Sequence, residues 1–247
     1  VDPLHQFKIY SLIPIDISGG NVSFTNSAFY MLLSVVIAMA LIVGGMRRRL
    51  LVPSRLQSVA EMAYEFVAGM VNSNAGPEGR PFIPFVFALF LFLLLGNLIG
   101  MIPYTFTFTS HLIVTATLAM VVFVMVTLLG FIKHGFHFFS KFVPKGVPAV
   151  LMPLMIPLEI ISYFIRPVSL SVRLFANIMA GHTMLKVFAG FIVMLASAFG
   201  AVGYFVGLAP LALVVVLVGF EFFVAAIQAY VFVLLTVIYI QDSLELH

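Results

Sequence analysis

The sequence has no cysteine, which removes thiolate chemistry, disulfides and Cys-ligated metals together and leaves the redox compartment unmarked. It is also poor in charge: 9% of its 247 residues are Asp, Glu, Lys or Arg, against about 25% in an ordinary soluble domain. Six histidines are scattered without an HxxxH or HExxH helical pair, so neither a metal nor a cofactor is expected. The net charge of +3 reflects where basic residues sit relative to a membrane and is no sign of nucleic-acid binding.

What fills the space is apolar. Hydrophobic residues make up 63% of the chain, against about 45–50% in soluble domains. Uncharged apolar runs at 28–46, 81–110, 112–132, 187–220 and 222–241 reach or exceed the roughly 18–20 residues that cross a bilayer core as helix. The fold class is therefore an all-α membrane protein with five membrane-crossing helices. Residues 1–27 mix Pro, Asp, His and Asn without a continuous apolar core, so no cleavable leader is expected and the first span directs its own insertion.

Basic residues are unevenly placed. Arg47, Arg48, Arg49, Arg55 and Arg80 lie between the first two spans, and Lys133, Lys141 and Lys145 follow the third. Only Lys8 is in the N-terminal segment, and none is in the 104–110 or 197–209 connections. The positive-inside rule puts the N-terminus outside and, after five crossings, the C-terminus inside.

Between the first two spans, Leu56, Val59, Ala60, Ala63, Phe66, Val67 and Met70 form one helical stripe, with Arg55, Glu61 and Glu65 off it. Ser54 followed by Gln57 starts a capping box. The expectation is an amphipathic helix on the inner membrane surface; a short helix docked on a soluble partner is the alternative. Asn97, the only amide of the second span, suits an interhelical hydrogen bond. His111 is either a solvated interfacial side chain or part of a water path.

The last hundred residues differ. Helical pattern from Pro148 to about Gly190 amounts to about 60 Å of helix against a hydrocarbon core of about 30 Å. A second segment of similar length follows the small-residue stretch "ASAFGAVGYFVGLAP". Either Pro153, Pro157 and Pro167 break the first segment, or both segments lie strongly inclined as a hairpin; the expectation is the inclined hairpin. The chain then reads as one integral membrane domain: outer segment 1–27, span 28–46, amphipathic helix 54–74, spans 81–103 and 111–133, and channel hairpin 148–190 with 205–241.

This hairpin carries Glu159, Arg166, Arg173, His182, Lys186 and Glu221. An ionisable group inside a span costs about 2.5–3.5 kcal/mol on insertion scales and is a functional candidate by default. Arg166 and Lys186 also suit snorkelling to an interface. Glu159, Arg166 and Arg173 are spaced by seven, which keeps them on one helical face, and Asn177 continues it. His182, nine residues past Arg173, points the opposite way. On the final helix Glu221, Gln228 and Tyr239 share a face. Arg173 is a permanent cation that cannot relay a proton, whereas His182, Glu221 and Glu159 can. A fixed cation between titratable groups on different faces suits a barrier between two proton paths, and does not suit a hydrolytic site.

The stretches "RPVSLSVRLFANIMAGH" and "FEFFVAAIQAYVFVLLTVIY", with "PLHQF", "SFTNS" and "GNLIGMIPYTFTFTSH" earlier in the chain, resemble subunit a of the F-type ATP synthase in its mitochondrial-like bacterial branch. The resemblance implies a non-catalytic, ion-translocating stator subunit beside a ring of c subunits. It implies that Arg173 meets a c-ring carboxylate, with Asn177 and Gln228 near that contact. It further implies that His182 and Glu221 line the outer half-channel and that Glu159, Ser162 and Ser169 line the inner one. Asn97, His111 and Tyr239 are additional candidate polar positions of the outer path. Many bacterial members carry Glu at the position of His182 and His at that of Glu221, so the pair is exchanged here. The implied partners are the c-ring, peripheral-stalk b-type subunits, membrane lipids and, indirectly, the catalytic head, in a bacterial plasma or mitochondrial inner membrane. Without the resemblance, a self-contained proton-coupled transporter also fits, although no internal repeat pairs the two halves. A purely structural anchor leaves six buried ionisable groups unexplained.

Overall fold

In lipid an unpaired backbone N–H or C=O has no water to turn to, so a crossing segment closes its hydrogen bonds internally as helix. The computed structural model describes residues 8–14, 16–17, 20–21, 23–46, 53–102, 105–143 and 151–244. Arg47, Arg48, Arg49, Lys145, Pro148 and the "PLHQF" stretch lie outside the described residues. The helices are α1 (Asn26–Met46), α2 (Arg55–Ala75), α3 (Ile83–Gly100), α4 (Leu112–His134), α5 (Met152–Val206) and α6 (Leu208–Leu244). Among the described residues, five helical stretches are long and apolar enough to cross a membrane: Asn26–Met46, Pro77–Gly100, Leu112–Ser140, Met152–Phe199 and Leu208–Leu244. Their outward side chains are mostly apolar, with Ile132 82% and Phe136 93% exposed, the reverse of a protein built for water.

Two elements differ from the sequence reading. The N-terminal segment forms short antiparallel pairs, β1 (Ser11–Ile13) with β4 (Phe24–Thr25) and β2 (Asp16–Ile17) with β3 (Gly20–Asn21). Asn26 fastens them to the head of α1: its side chain accepts from the N–H of Tyr10 and donates to the carbonyl of Lys8. The stretch 197–209, read as a connection, is helical up to Val206, and the helix breaks only at Gly207. Glycine lowers helix propensity in water, but an apolar solvent penalises the open backbone more. As a result α5 is 55 residues long, about 80 Å at 1.5 Å per residue.

The chain separates into two compact units. The first comprises Val1–Ile37, Phe92–His111 and Leu174–Ala229. Its irregular segment 105–111 is almost wholly buried, with Phe108 1% exposed. A Cβ on Gly96 would stand 2.3 Å from the Phe108 ring, so the absent side chain is what lets that ring seat on α3.

The second unit comprises Ala38–Leu91, Leu112–Arg173 and Tyr230–His247. Ser54 caps α2 by accepting from the N–H of Gln57. Of the expected stripe, Ala60, Val67 and Met70 are buried and Leu56, Val59 and Phe66 are exposed. Gly76 and Gly135, both at positive φ, follow the ends of α2 and α4, where the backbone takes a conformation that favours glycine. Beyond Gly135, the 3-10 segment Gly135–Phe142 folds Phe138 back onto Gly130 and Tyr163. Glu78, in the 3-10 turn after α2, pairs with Lys133 at the end of α4.

Gly96→Ala is expected to overpack against Phe108 and to lower stability by about 1–3 kcal/mol. Gly219→Ala, where a Cβ meets nothing within 4 Å, serves as the control. Thermal unfolding of the purified protein checks this; equal midpoints would contradict the packing described.

Candidate functional site

Glu159, Ser162, Arg166, Ser169, Arg173 and Asn177 follow one another on α5 at offsets of three and four, within about 80° of arc. Ser162, Ser169, Arg173 and Asn177 are exposed, and Glu159 and Arg166 are half-buried. Tyr163, Leu170, Leu174, Ile178 and His182, all buried, follow round the helix beside this stripe, and of these only His182 is half a turn from Arg173. The exposed polar stripe of α5 thus borders a packed flank. Arg173 lies within electrostatic reach of Tyr239.

In the first unit, α5 meets α6 at His182 and Glu221, which are 7% and 6% exposed. His182 Nδ1 is 3.5 Å from Glu221 Oε1, within ion-pair range but at the far edge of a hydrogen bond. Gly181 makes the approach possible, because a Cβ there would stand 2.6 Å from Glu221 Oε1. On its other side His182 Nε2 is 3.2 Å from Thr107 Oγ1. Asn97 forms the expected interhelical bond, donating to the Ala225 carbonyl at 3.2 Å and accepting from Thr109 Oγ1 at 2.9 Å. His111 stacks on Phe106 with ring centroids 5.2 Å apart. An open, mainly apolar cleft of about 1380 Å³ runs past His182, Lys186, Tyr10, Asn26, Tyr30 and Phe222.

In the second unit, α5 meets α6 differently. Arg166, half-buried and read in the sequence as a possible snorkel, donates to Asp242 Oδ2 at 2.7 Å. Its guanidinium lies 5.7 Å from the Tyr163 ring and 5.2 Å from the Tyr239 ring, a cation–π arrangement. Tyr163 hydroxyl donates to Thr127 Oγ1 at 2.7 Å, since Thr127 spends its own hydrogen on the Phe123 carbonyl. His134 reaches the Ser243 carbonyl. Tyr239, grouped in the sequence reading with Asn97 and His111, therefore belongs to the Arg166–Asp242 cluster, whereas those two belong to the first unit. Gln228 is buried, 4% exposed.

Thr107 and Asp242 are the residues that sequence reasoning missed. Asp242 follows the last apolar run. Thr107 sits in "TFTFTS", whose alternation of Thr and Phe suits a half-buried strand, whereas Phe106, Thr107, Phe108 and Thr109 are all buried.

The described residues define a polytopic helical membrane protein that keeps an imidazole–carboxyl pair inside its spans and displays a basic polar stripe elsewhere on the same helix. A profile of the ATP synthase A chain family matches residues 28–241. ATP synthase subunit a of Rhodospirillum rubrum is 53% identical over 245 residues, covering 99% of each chain. ATP synthase subunit a of Mesorhizobium japonicum is 55% identical over 245 residues, 99% of this chain and 97% of the relative, and that of Maricaulis maris is 52% identical over 251 residues, again 99% and 97%. The chain belongs to the ATP synthase A chain family.

Gly181→Ala is expected to displace the Glu221 carboxyl and to cost about 1–3 kcal/mol. Shortening the neighbour, Glu221→Asp, should recover part of it; no recovery in thermal unfolding would sever the link. For Arg166 and Asp242, a double-mutant cycle of Arg166→Gln and Asp242→Asn should give a coupling of about 1 kcal/mol, and strictly additive losses would deny the pair.

Proposed function

We propose that this chain is the proton-conducting stator subunit of an F-type ATP synthase. It provides two offset aqueous half-channels and, between them, Arg173, which together couple proton flow to rotation of a c-subunit ring and thus to ATP synthesis. The chain is non-catalytic in itself. The observation that carries the reading is the division of α5 into an exposed stripe containing Arg173 and a buried face containing His182 beside Glu221. A stripe of polar and cationic side chains on an otherwise apolar exterior suits a partner that brings a carboxylate to it.

The steps follow from the chemistry of each group. A proton arrives from the outer side through the cleft beside His182, is handed within the His182–Glu221 pair and neutralises a c-ring carboxylate. The ring turns with that neutral group in lipid. At the inner path, near Glu159, Ser162 and Ser169, the carboxylate gives its proton up. Arg173, protonated at every physiological pH, attracts the ionised carboxylate and repels a proton that would cross directly. Asn177 and Gln228 flank this contact. Each proton moving through 100 mV supplies about 2.3 kcal/mol, and a leak past Arg173 would dissipate it.

The chain resides in a bacterial plasma membrane with its N-terminus outside, in contact with the c-ring, b-type stalk subunits and lipid. The uneven placing of Arg and Lys supports the orientation. The length of α5, about 80 Å against a core of about 30 Å, supports an inclined α5–α6 hairpin. The exposed Leu56, Val59, Met62 and Phe66 support α2 lying in the inner interface.

The test uses the whole ATP synthase reconstituted in liposomes. Arg173→Ala is expected to abolish ATP synthesis under an imposed proton gradient; wild-type ATP-driven pumping in that variant would remove the assignment.

A further inference from the structure

Thr107 lies on the irregular segment between α3 and α4 and is 0% exposed. Its hydroxyl has one hydrogen to give and lone pairs to offer. The Gly100 carbonyl, 3.1 Å away, can only accept, so the hydrogen goes there. Gly100 allows this approach, because a Cβ on it would stand 2.5 Å from Thr107 Oγ1. Towards His182 Nε2, at 3.2 Å, the hydroxyl is left with a lone pair. An imidazole nitrogen that meets an acceptor carries a hydrogen.

We infer that Thr107 is a positioning residue that holds His182 as its Nε2–H tautomer and leaves Nδ1, 3.5 Å from Glu221 Oε1, as the ring atom that exchanges a proton. The inference deepens the proposed function and rests on its reading of His182 and Glu221 as part of the proton path. The Nε2 side ends at the Gly100 carbonyl, which has no proton to pass on. A proton therefore does not enter the ring at one nitrogen and leave by the other. When Glu221 yields its proton, the O–H bond breaks as Nδ1–H forms, giving carboxylate and imidazolium; the return step reverses both. Nε2 remains a donor to Thr107 in either charge state, so the ring keeps its orientation through the exchange. Glu221 is thus the group in the through path, and His182 is a side station that stores the proton and returns it.

Among the described residues, the charged and titratable groups around His182 include Glu221 from α6 and Lys186 from its own helix. Tyr10 and Tyr30 line the same cleft from the N-terminal segment and α1, and His111 ends the segment that carries Thr107.

In liposomes holding the complete ATP synthase, Thr107→Val keeps the shape and removes the hydroxyl. It is expected to slow gradient-driven ATP synthesis on the order of tenfold, the scale on which a partner that orients a histidine acts, and to alter its dependence on outer pH. Thr107→Ser keeps the hydroxyl and should stay near wild type. A wild-type rate in Thr107→Val, or a Thr107→Ser as slow as Thr107→Val, overturns the inference. Arg173→Ala in the same preparation separates the two levels: if it synthesises ATP normally, the assignment of the subunit fails, whereas if it is dead while Thr107→Val runs normally, only the role of Thr107 fails. Should Thr107→Val not assemble, 15N-histidine labelling of the wild-type complex decides, with His182→Gln identifying the signal. An Nε2–H pattern for neutral His182 is expected, and an Nδ1–H pattern refutes it.

Discussion

An apolar solvent gives a polar side chain no partner, so every such group inside a span has to find one within the protein or on another chain. That constraint organises this molecule. Asn97 closes on the Ala225 carbonyl and Thr109, and Thr107 closes on the Gly100 carbonyl and His182. Arg166 closes on Asp242 between two tyrosine rings. Asn97 thereby ties α3 to α6, Thr107 ties its segment to α5, and Arg166 ties α5 to α6. These polar closures set helix register.

The same constraint gives the exposed stripe of α5 its meaning. Apolar exposure on a membrane helix is ordinary, since lipid covers it. Exposed Ser162, Ser169, Arg173 and Asn177 are different, because lipid offers a guanidinium nothing. These four exposed polar positions stay in phase over sixteen residues of one helix, which suits a polar partner. In the proposed reading that is a rotor carboxylate, which explains why the permanent cation is on this face and the titratable imidazole on the packed one.

Legibility in the sequence followed the range of the interactions. The crossing helices were readable because uncharged runs report a property of the solvent, and the opposite facing of Arg173 and His182 followed from counting residues at 100° each. The cap at Ser54 was local and readable. Arg166 and Asp242 are 76 residues apart, and Thr107 and His182 are 75; nothing in either local stretch names its partner. The end of α5 was misjudged for another reason: Gly and Ser around residue 200 signal a turn in water, and here the apolar surroundings overrode propensity. The short strands near the N-terminus fell in a stretch judged mainly for what it lacked.

One residue, Gly207, separates α5 from α6. A connection that short has no slack, and between Gly181 and Glu221 the chain is otherwise continuous helix. An insertion or deletion of a single residue in either arm would rotate one partner by about 100° and shift it by about 1.5 Å. The carboxyl would then leave its glycine notch. The length of this stretch is thus as tightly constrained by the pair as the identity of its side chains.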